Sequence, residues 1–309
     1  MKHVLSFVLV LFLLMGTAFV ACHRADDHQI RVTIVTKAMD SEFWQALRAG
    51  AEDAAKAHPE VGLSVLAPTR EINIDQQVNI LEDQILKGVS ALAVAPSGVA
   101  EILPVLDKAH SRNIPVITVD TDIDWPHKLS YVGTDNRLGG KLAGEYIVKR
   151  LNGKGKVALI HGIPGVQTHE DRKNGFLDAI KAAPGIQLVA QQPANSEREL
   201  ALTVMENILT SNPDLDAVFI TSDQMALGAL EAIDAHHLID RIITVGFDAG
   251  KEALQAVREG RLDAVVAQNP YKMGQEAFLA ALKAAKGEPV AERIDTGTRL
   301  IDRSNVAMK

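Results

Sequence analysis

The sequence predicts an α/β protein of two similar lobes, each a parallel sheet covered by helices, and three observations predict it. From position 31 onward, short β-branched runs alternate with amphipathic stretches of about 12 to 18 residues, the pattern of strands joined by crossover helices. Two segments repeat: "ILEDQILKGVSALAVAPSG…IPVITVDTD" and "VMENILTSNPDLDAVFITSD…RIITVGFDAG" each run helix, strand, turn, helix, strand and then aspartate. Ala91 matches Ala217 at an offset of 126 and Asp120 matches Asp248 at an offset of 128, so a βαβ unit is duplicated. The length of 309 residues suits two domains of the usual size, roughly 100 to 200 residues each.

The N-terminus comes first. Lys2 and His3, an apolar run over 4–15 and small residues over 16–21 read as an export signal spanning 1–21, too short to cross a membrane. Cys22 directly follows "TAFVA", which resembles the lipobox of bacterial lipoproteins and makes Cys22 the expected lipidation site. Phe19 departs from the leucine usual there, and a plain cut after Ala18 is the alternative. Both place the mature chain outside the cytoplasm, in the periplasm or cell envelope; a lipid on Cys22 would be its one membrane contact. Residues 22–29 form a polar tether. With Cys22 the sole cysteine, no internal disulfide can form, so stability must come from packing.

Strands are predicted at 31–36, 62–66, 91–95, 115–119, 156–160, 187–191, 216–220, 241–246 and 263–267, with helices between them. Open parallel sheets bind ligands beyond the C-terminal ends of their strands, where the equivalent Asp120 and Asp248 fall. A carboxylate there accepts hydroxyl protons in strong charge-assisted bonds; an aspartate after a strand also commonly caps a helix. Phe43 and Trp44 stand side by side at a helix start in a chain that is only 4% aromatic. Such a pair at the ligand edge of a sheet can stack on a bound ligand, and a core role for one of the pair is the alternative.

The net charge of -7 and the lack of basic clusters exclude a nucleic-acid surface. "GTDNRLGG" (133–140) lacks the arrangement of a phosphate loop, and Asn136 reads as a helix cap. His236 and His237 are adjacent and so point apart on a helix, which suits a helix end better than a metal site. No nucleophile elbow, metal motif or phosphate loop is visible, so no enzyme activity and no cofactor are expected.

The motifs "FWQALRAGAEDAAK", "IPVITVDTD", "YVGTDNRLGGKLAGEYI", "HEDRKNGF", "SDQMALGAL", "TVGFDAG" and "VVAQNP" occur in this order across nearly the whole mature chain. Together they resemble the ribose-binding-protein-like group of periplasmic sugar-binding proteins, whose fold is shared by lactose-repressor-type regulators. The resemblance implies the type I fold, two Rossmann-like lobes with three hinge crossovers, near Thr134, Gln268 and Gly297. The lobes would be 30–134 plus 269–297, and 135–268 plus 298–309. It further implies a ligand site of Asp40, Phe43, Trp44, Asp120, Thr121, Arg172, Ser222, Asp248 and Gln268. At several matched positions the chain departs from the ribose pattern: Ala95 and Ser222 replace asparagines, Thr121 an arginine, Ser196 an aromatic, and Asp40 and Ser41 an asparagine pair. An unmatched buried hydroxyl costs about 1–3 kcal/mol, so these losses argue against ribose itself. Asp122 and Trp125 are candidate replacements, Trp125 reading equally as a surface turn residue before Pro126.

The implied function is that of a monomeric binding protein that delivers a monosaccharide or polyol to an ABC importer permease. A chemoreceptor or sensor kinase is the alternative partner. A regulator would need a basic helix-turn-helix where the export signal stands.

Overall fold

The computed structural model describes residues 30–308; the export signal, Cys22 and the rest of the tether lie outside the described residues. The chain starts with β1 (Ile30–Val35), α1 (Glu42–Ala55), β2 (Val61–Leu66), α2 (Ile74–Leu86), β3 (Ala91–Val94), α3 (Val99–Ser111), β4 (Val116–Val119) and β5 (Ser130–Gly133). It continues through α4 (Asn136–Arg150), β6 (Lys154–His161), α5 (Gln167–Lys181), β7 (Gly185–Pro193), α6 (Arg198–Ser211), β8 (Ala217–Ile220), α7 (Asp223–Ala235), β9 (Ile243–Phe247), α8 (Lys251–Glu259) and β10 (Ala264–Ala267). Helix α9 (Pro270–Ala285) and strands β11 (Arg293–Asp295) and β12 (Arg299–Asp302) complete it before a terminal 3-10 turn.

These strands form two six-stranded sheets with one plan: β11-β5-β4-β3-β1-β2 in the first and β12-β10-β9-β8-β6-β7 in the second. The two sheets are the physical form of the sequence repeat. Every pairing is parallel except β10 with β12, which is antiparallel. The exception follows from connectivity. The chain runs straight from the end of β11 into β12, so it enters the second sheet from the edge that the other strands leave. The chain passes between sheets after β5, after β10 and between β11 and β12. Strands β5, β11 and β12 add to the nine that the sequence predicts. Their sequences, SYVG, RID and RLID, lack the nearly continuous apolar runs that mark the equally short β3, β4, β8 and β10.

The central strands β3, β4, β8 and β10 are buried throughout, as continuous apolar runs covered on both faces should be. Ile34, Leu47 and Phe278 centre one core, and Phe176, Phe219 and Phe247 another. In each lobe two helices approach through glycine. A Cβ on Gly50 would collide with the Tyr271 carbonyl where α1 meets α9, and one on Gly140 with the Arg172 carbonyl where α4 meets α5. Within "GTDNRLGG", Gly140 thus serves helix packing, and Gly139 lies against Phe247 of the sheet. The expected cap shifts by one residue: the Asp135 side chain accepts the Leu138 N–H, which leaves Asn136 as the first helical residue.

Candidate functional site

The C-terminal ends of the two sheets face each other across a cleft of about 590 Å³. Asp120 follows β4 and Asp248 follows β9, and both hold left-handed backbone, φ 61° and 70°. A non-glycine residue there is strained by about 1–3 kcal/mol, and strain of this kind collects at ligand sites. The turns aim both carboxylates inward, where they are 3% and 8% exposed.

Each acid has a cation. Lys37, on the loop after β1, lies with Nζ 3.4 Å from Asp120 Oδ2, and the Thr121 hydroxyl donates to the same oxygen at 2.8 Å. Arg172, on α5, lies with Nη1 3.6 Å from Asp248 Oδ2, and Gln268 Nε2 donates to Asp248 Oδ1 at 2.6 Å. Arg172 is fixed from three further sides. Its Nε donates to Asn136 Oδ1 at 2.8 Å, its Nη1 donates to the Thr221 carbonyl at 2.8 Å, and its guanidinium lies 3.8 Å from the centre of the Phe247 ring. Burial nevertheless keeps the Asp248 carboxyl above its ordinary range, against the pull of Arg172 and Gln268.

Phe43 and Trp44 meet edge to face, centroids 4.8 Å apart at 89°. Trp44 is core and cleft at once: it is 3% exposed, lines the cleft, and its Nε1 donates to Glu71 Oε1 at 3.0 Å. Buried His169 sits between Thr221 Oγ1 (2.9 Å from Nδ1) and Ser196 Oγ (3.1 Å from Nε2). Burial, with Arg172 and Lys37 beside it, pushes its imidazole well below the usual range and keeps it neutral. Asp223, at the start of α7, is pushed up to about 7 by burial and by Asp248. Contacts also span the cleft: Lys37 Nζ donates to Thr168 Oγ1 at 3.4 Å, Arg70 pairs with Glu197 at 2.5 Å, and Glu42 pairs with Lys251 at 3.6 Å.

Of the residues singled out in the sequence, Asp40, Phe43, Trp44, Asp120, Arg172, Ser222 and Asp248 line this one cleft. Thr121 and Gln268 do not. Thr121 is buried behind Asp120, while Gln268 borders an adjoining cavity at the crossovers and reaches the cleft through Asp248. Trp125 is neither ligand nor surface turn: it is 5% exposed in the core against α3, with Nε1 donating to Asp107 Oδ1 at 2.8 Å. Asp122 pairs with Lys128 at 2.5 Å outside the cleft. Lys37, Glu71, His169 and Asp223 line the cleft without having been singled out. Their signals were positional. Lys37 ends a strand run, His169 precedes Arg172 by three residues on one helix face, and Asp223 follows Ser222 at a strand's C-terminal edge.

Among the described residues, no three His, Cys, Asp or Glu side chains are grouped to hold a metal, and no helix is long and apolar enough to cross a membrane. Two duplicated α/β lobes joined by three crossovers, with opposed ion-paired acids and an aromatic pair between them, define a two-lobed solute-binding protein. The periplasmic binding protein domain model matches residues 32–289, and the chain belongs to that family. It is 33% identical over 270 residues to the ribose import binding protein of Escherichia coli (strain K12), covering 87% of this chain and 90% of that protein. An ABC transporter periplasmic solute binding protein from Actinobacillus succinogenes, solved with bound D-allose, superposes with a TM-score of 0.84 at 32% identity, over 91% of this chain and all of that one. A solute binding protein from Bacillus halodurans, solved with bound myo-inositol, gives a TM-score of 0.86 at 28% identity, over 92% and 98% of the two chains.

Proposed function

We propose that this chain binds a monosaccharide or related polyol between its lobes and presents it, enclosed, to an ABC importer. The observation that carries the reading is the pair of ion-paired aspartates at equivalent turns, facing each other beside Phe43 and Trp44. A polyol offers hydroxyls to the carboxylates, the guanidinium and the ammonium, and C–H faces to the aromatic rings. Relatives that bind ribose, allose and myo-inositol support the ligand class. Within that class ribose is disfavoured, because Thr121 and Ser222 stand where the ribose pattern carries an arginine and an asparagine.

Enclosure involves the lobes 30–134 plus 269–297 and 135–268 plus 298–309 turning about the three crossovers, which gives a membrane partner two shapes to distinguish. The importer permease is the partner proposed, with a chemoreceptor or sensor kinase as the alternative reader of the same enclosed form. Cys22 carries the lipid that holds the monomer at the membrane. Binding is tested by thermal unfolding against pentoses, hexoses, deoxy sugars, furanoses and polyols, since a ligand of the folded state raises Tm by mass action. A rise with at least one class is expected; no rise with any of them overturns the reading.

A further inference from the structure

The charges of the cleft do not balance. Seven acids and four Lys or Arg residues line it, and His169 is neutral. Asp120 and Asp248 have Lys37 and Arg172, and Glu197 has Arg70. Asp40, Glu71, Glu199 and Asp223 have no cation among the described residues, and of these four only Asp223 is buried. It is 5% exposed, its Oδ1 accepts only the N–H of its neighbour Gln224, and its Oδ2 accepts no hydrogen bond and meets no cation among the described residues.

Other acids crowd the same corner. A Cβ built on Gly250 would lie 2.8 Å from Asp223 Oδ2 and 3.1 Å from Glu42 Oε2, so carboxylates from both lobes converge there. Glu42 is compensated by Lys251, whose backbone N–H and ammonium both reach it. Glu71 bears on Asp223 from the opposite lobe and is held only by the neutral indole N–H of Trp44. Beside Asp223, the Ser222 hydroxyl is buried without a partner. A metal does not answer for this charge, since no three ligating side chains are grouped among the described residues. A buried carboxylate demands a cation or a proton.

We propose that the natural ligand is an aminated polyol or amino sugar whose ammonium sits against Asp223, within reach of the field of Glu71. This rests on the polyol reading above and narrows it. The neutral hydroxyls meet the two ion-paired aspartates, while the ammonium meets the one buried acid of the cleft that has no cation of its own, forming the charge-assisted bonds that Asp223 lacks.

The test is calorimetric titration of the full chain with matched pairs: D-glucose and D-glucosamine, D-galactose and D-galactosamine, D-mannose and D-mannosamine, and myo-inositol and an aminodeoxy-inositol. In at least one pair the amine should bind about tenfold or more tightly than its hydroxyl counterpart. Asp223→Asn, and Asp223→Ser as a second variant, should remove that preference. Equal or tighter binding of the neutral member in every pair overturns this inference and leaves the polyol reading standing. An amine preference that survives both substitutions also overturns it. Binding of no member of any pair counts against the polyol reading itself and takes this inference with it.

Discussion

The two lobes share one scaffold and furnish it differently. The register of β3 on β1 and of β8 on β6 sets Val35 against Ile160, so Lys37 in the first lobe corresponds to Gly162 in the second. The first lobe therefore takes its cation from a loop, whereas the second leaves that position bare and takes Arg172 from α5. A side chain at 162 would collide with the His169 imidazole, so the missing side chain makes room for His169 beside Arg172. One strand further, Ser97 in the first lobe corresponds to Asp223 in the second by the offset of 126. Ser97 uses its N–H to bond Gln77 and carries no charge; Asp223 carries the unpaired acid. Duplication has preserved the two aspartate turns and left the surrounding charges to diverge, which is how a symmetric scaffold comes to hold an asymmetric ligand.

The largest expected effect comes from breaking the cation of one lobe against that of the other. Arg172→Ala strands buried Asp248 and removes the bonds to Asn136 and Thr221. It should cost about 3–5 kcal/mol in chemical denaturation and abolish sugar-induced stabilisation. Lys37→Ala should cost less. Each aspartate keeps one hydrogen-bond donor, but Lys37 makes only one further hydrogen bond among the described residues, to Thr168, where Arg172 also holds Asn136, the Thr221 carbonyl and the Phe247 ring. Equal losses would show that the two couples are interchangeable.

Next in size are the glycine contacts. Gly140→Ala and Gly50→Ala each force a methyl group against a carbonyl of a neighbouring helix and should each cost about 1–3 kcal/mol. Both should also weaken ligand binding, since α1 carries Phe43 and Trp44 and α5 carries Arg172, and Gly140→Ala should do so more strongly because the displaced carbonyl is that of Arg172 itself, as seen by comparing titration with thermal unfolding.

Asp223 distinguishes the lobes by pH. Its folded value of about 7 lies above its unfolded value, so folding retains its proton. The ligand-free protein should then lose stability as pH rises from about 4 to about 7, with the full cost present above that window. Asp223→Asn should leave Tm unchanged near pH 4 and raise it above pH 7, by a stability gain of at most about 4 kcal/mol. A Tm difference that does not vary with pH would remove Asp223 as the cause.

The smallest effect belongs to the rim. Arg70 and Glu197 bridge the lobes with side chains 54% and 25% exposed, so Arg70→Ala should cost at most about 1 kcal/mol, and less in high salt. Ligand release measured by stopped flow should quicken modestly in this variant, and an unchanged rate would show that the pair does not hold the cleft shut.

The sequence by itself determined the duplicated α/β plan, because the periodicity of strand and helix is local and a repeat is visible without coordinates. It also located Asp120 and Asp248, since an aspartate at the C-terminal edge of an apolar strand reads directly from the chain. What surrounds those aspartates was settled only by tertiary structure. Lys37 meets Asp120 across 83 residues, and Trp44 meets Glu71 across 27. No local pattern records such separations. Asn136 reads locally as a cap, and only the packing of α4 on α5 makes it the partner of Arg172. Trp125 reads as a turn residue until Asp107 and the core around α3 enclose it. Charge balance is the extreme case: that Asp223 is unpaired is a statement about every neighbour in space, and a sequence lists its neighbours in one dimension.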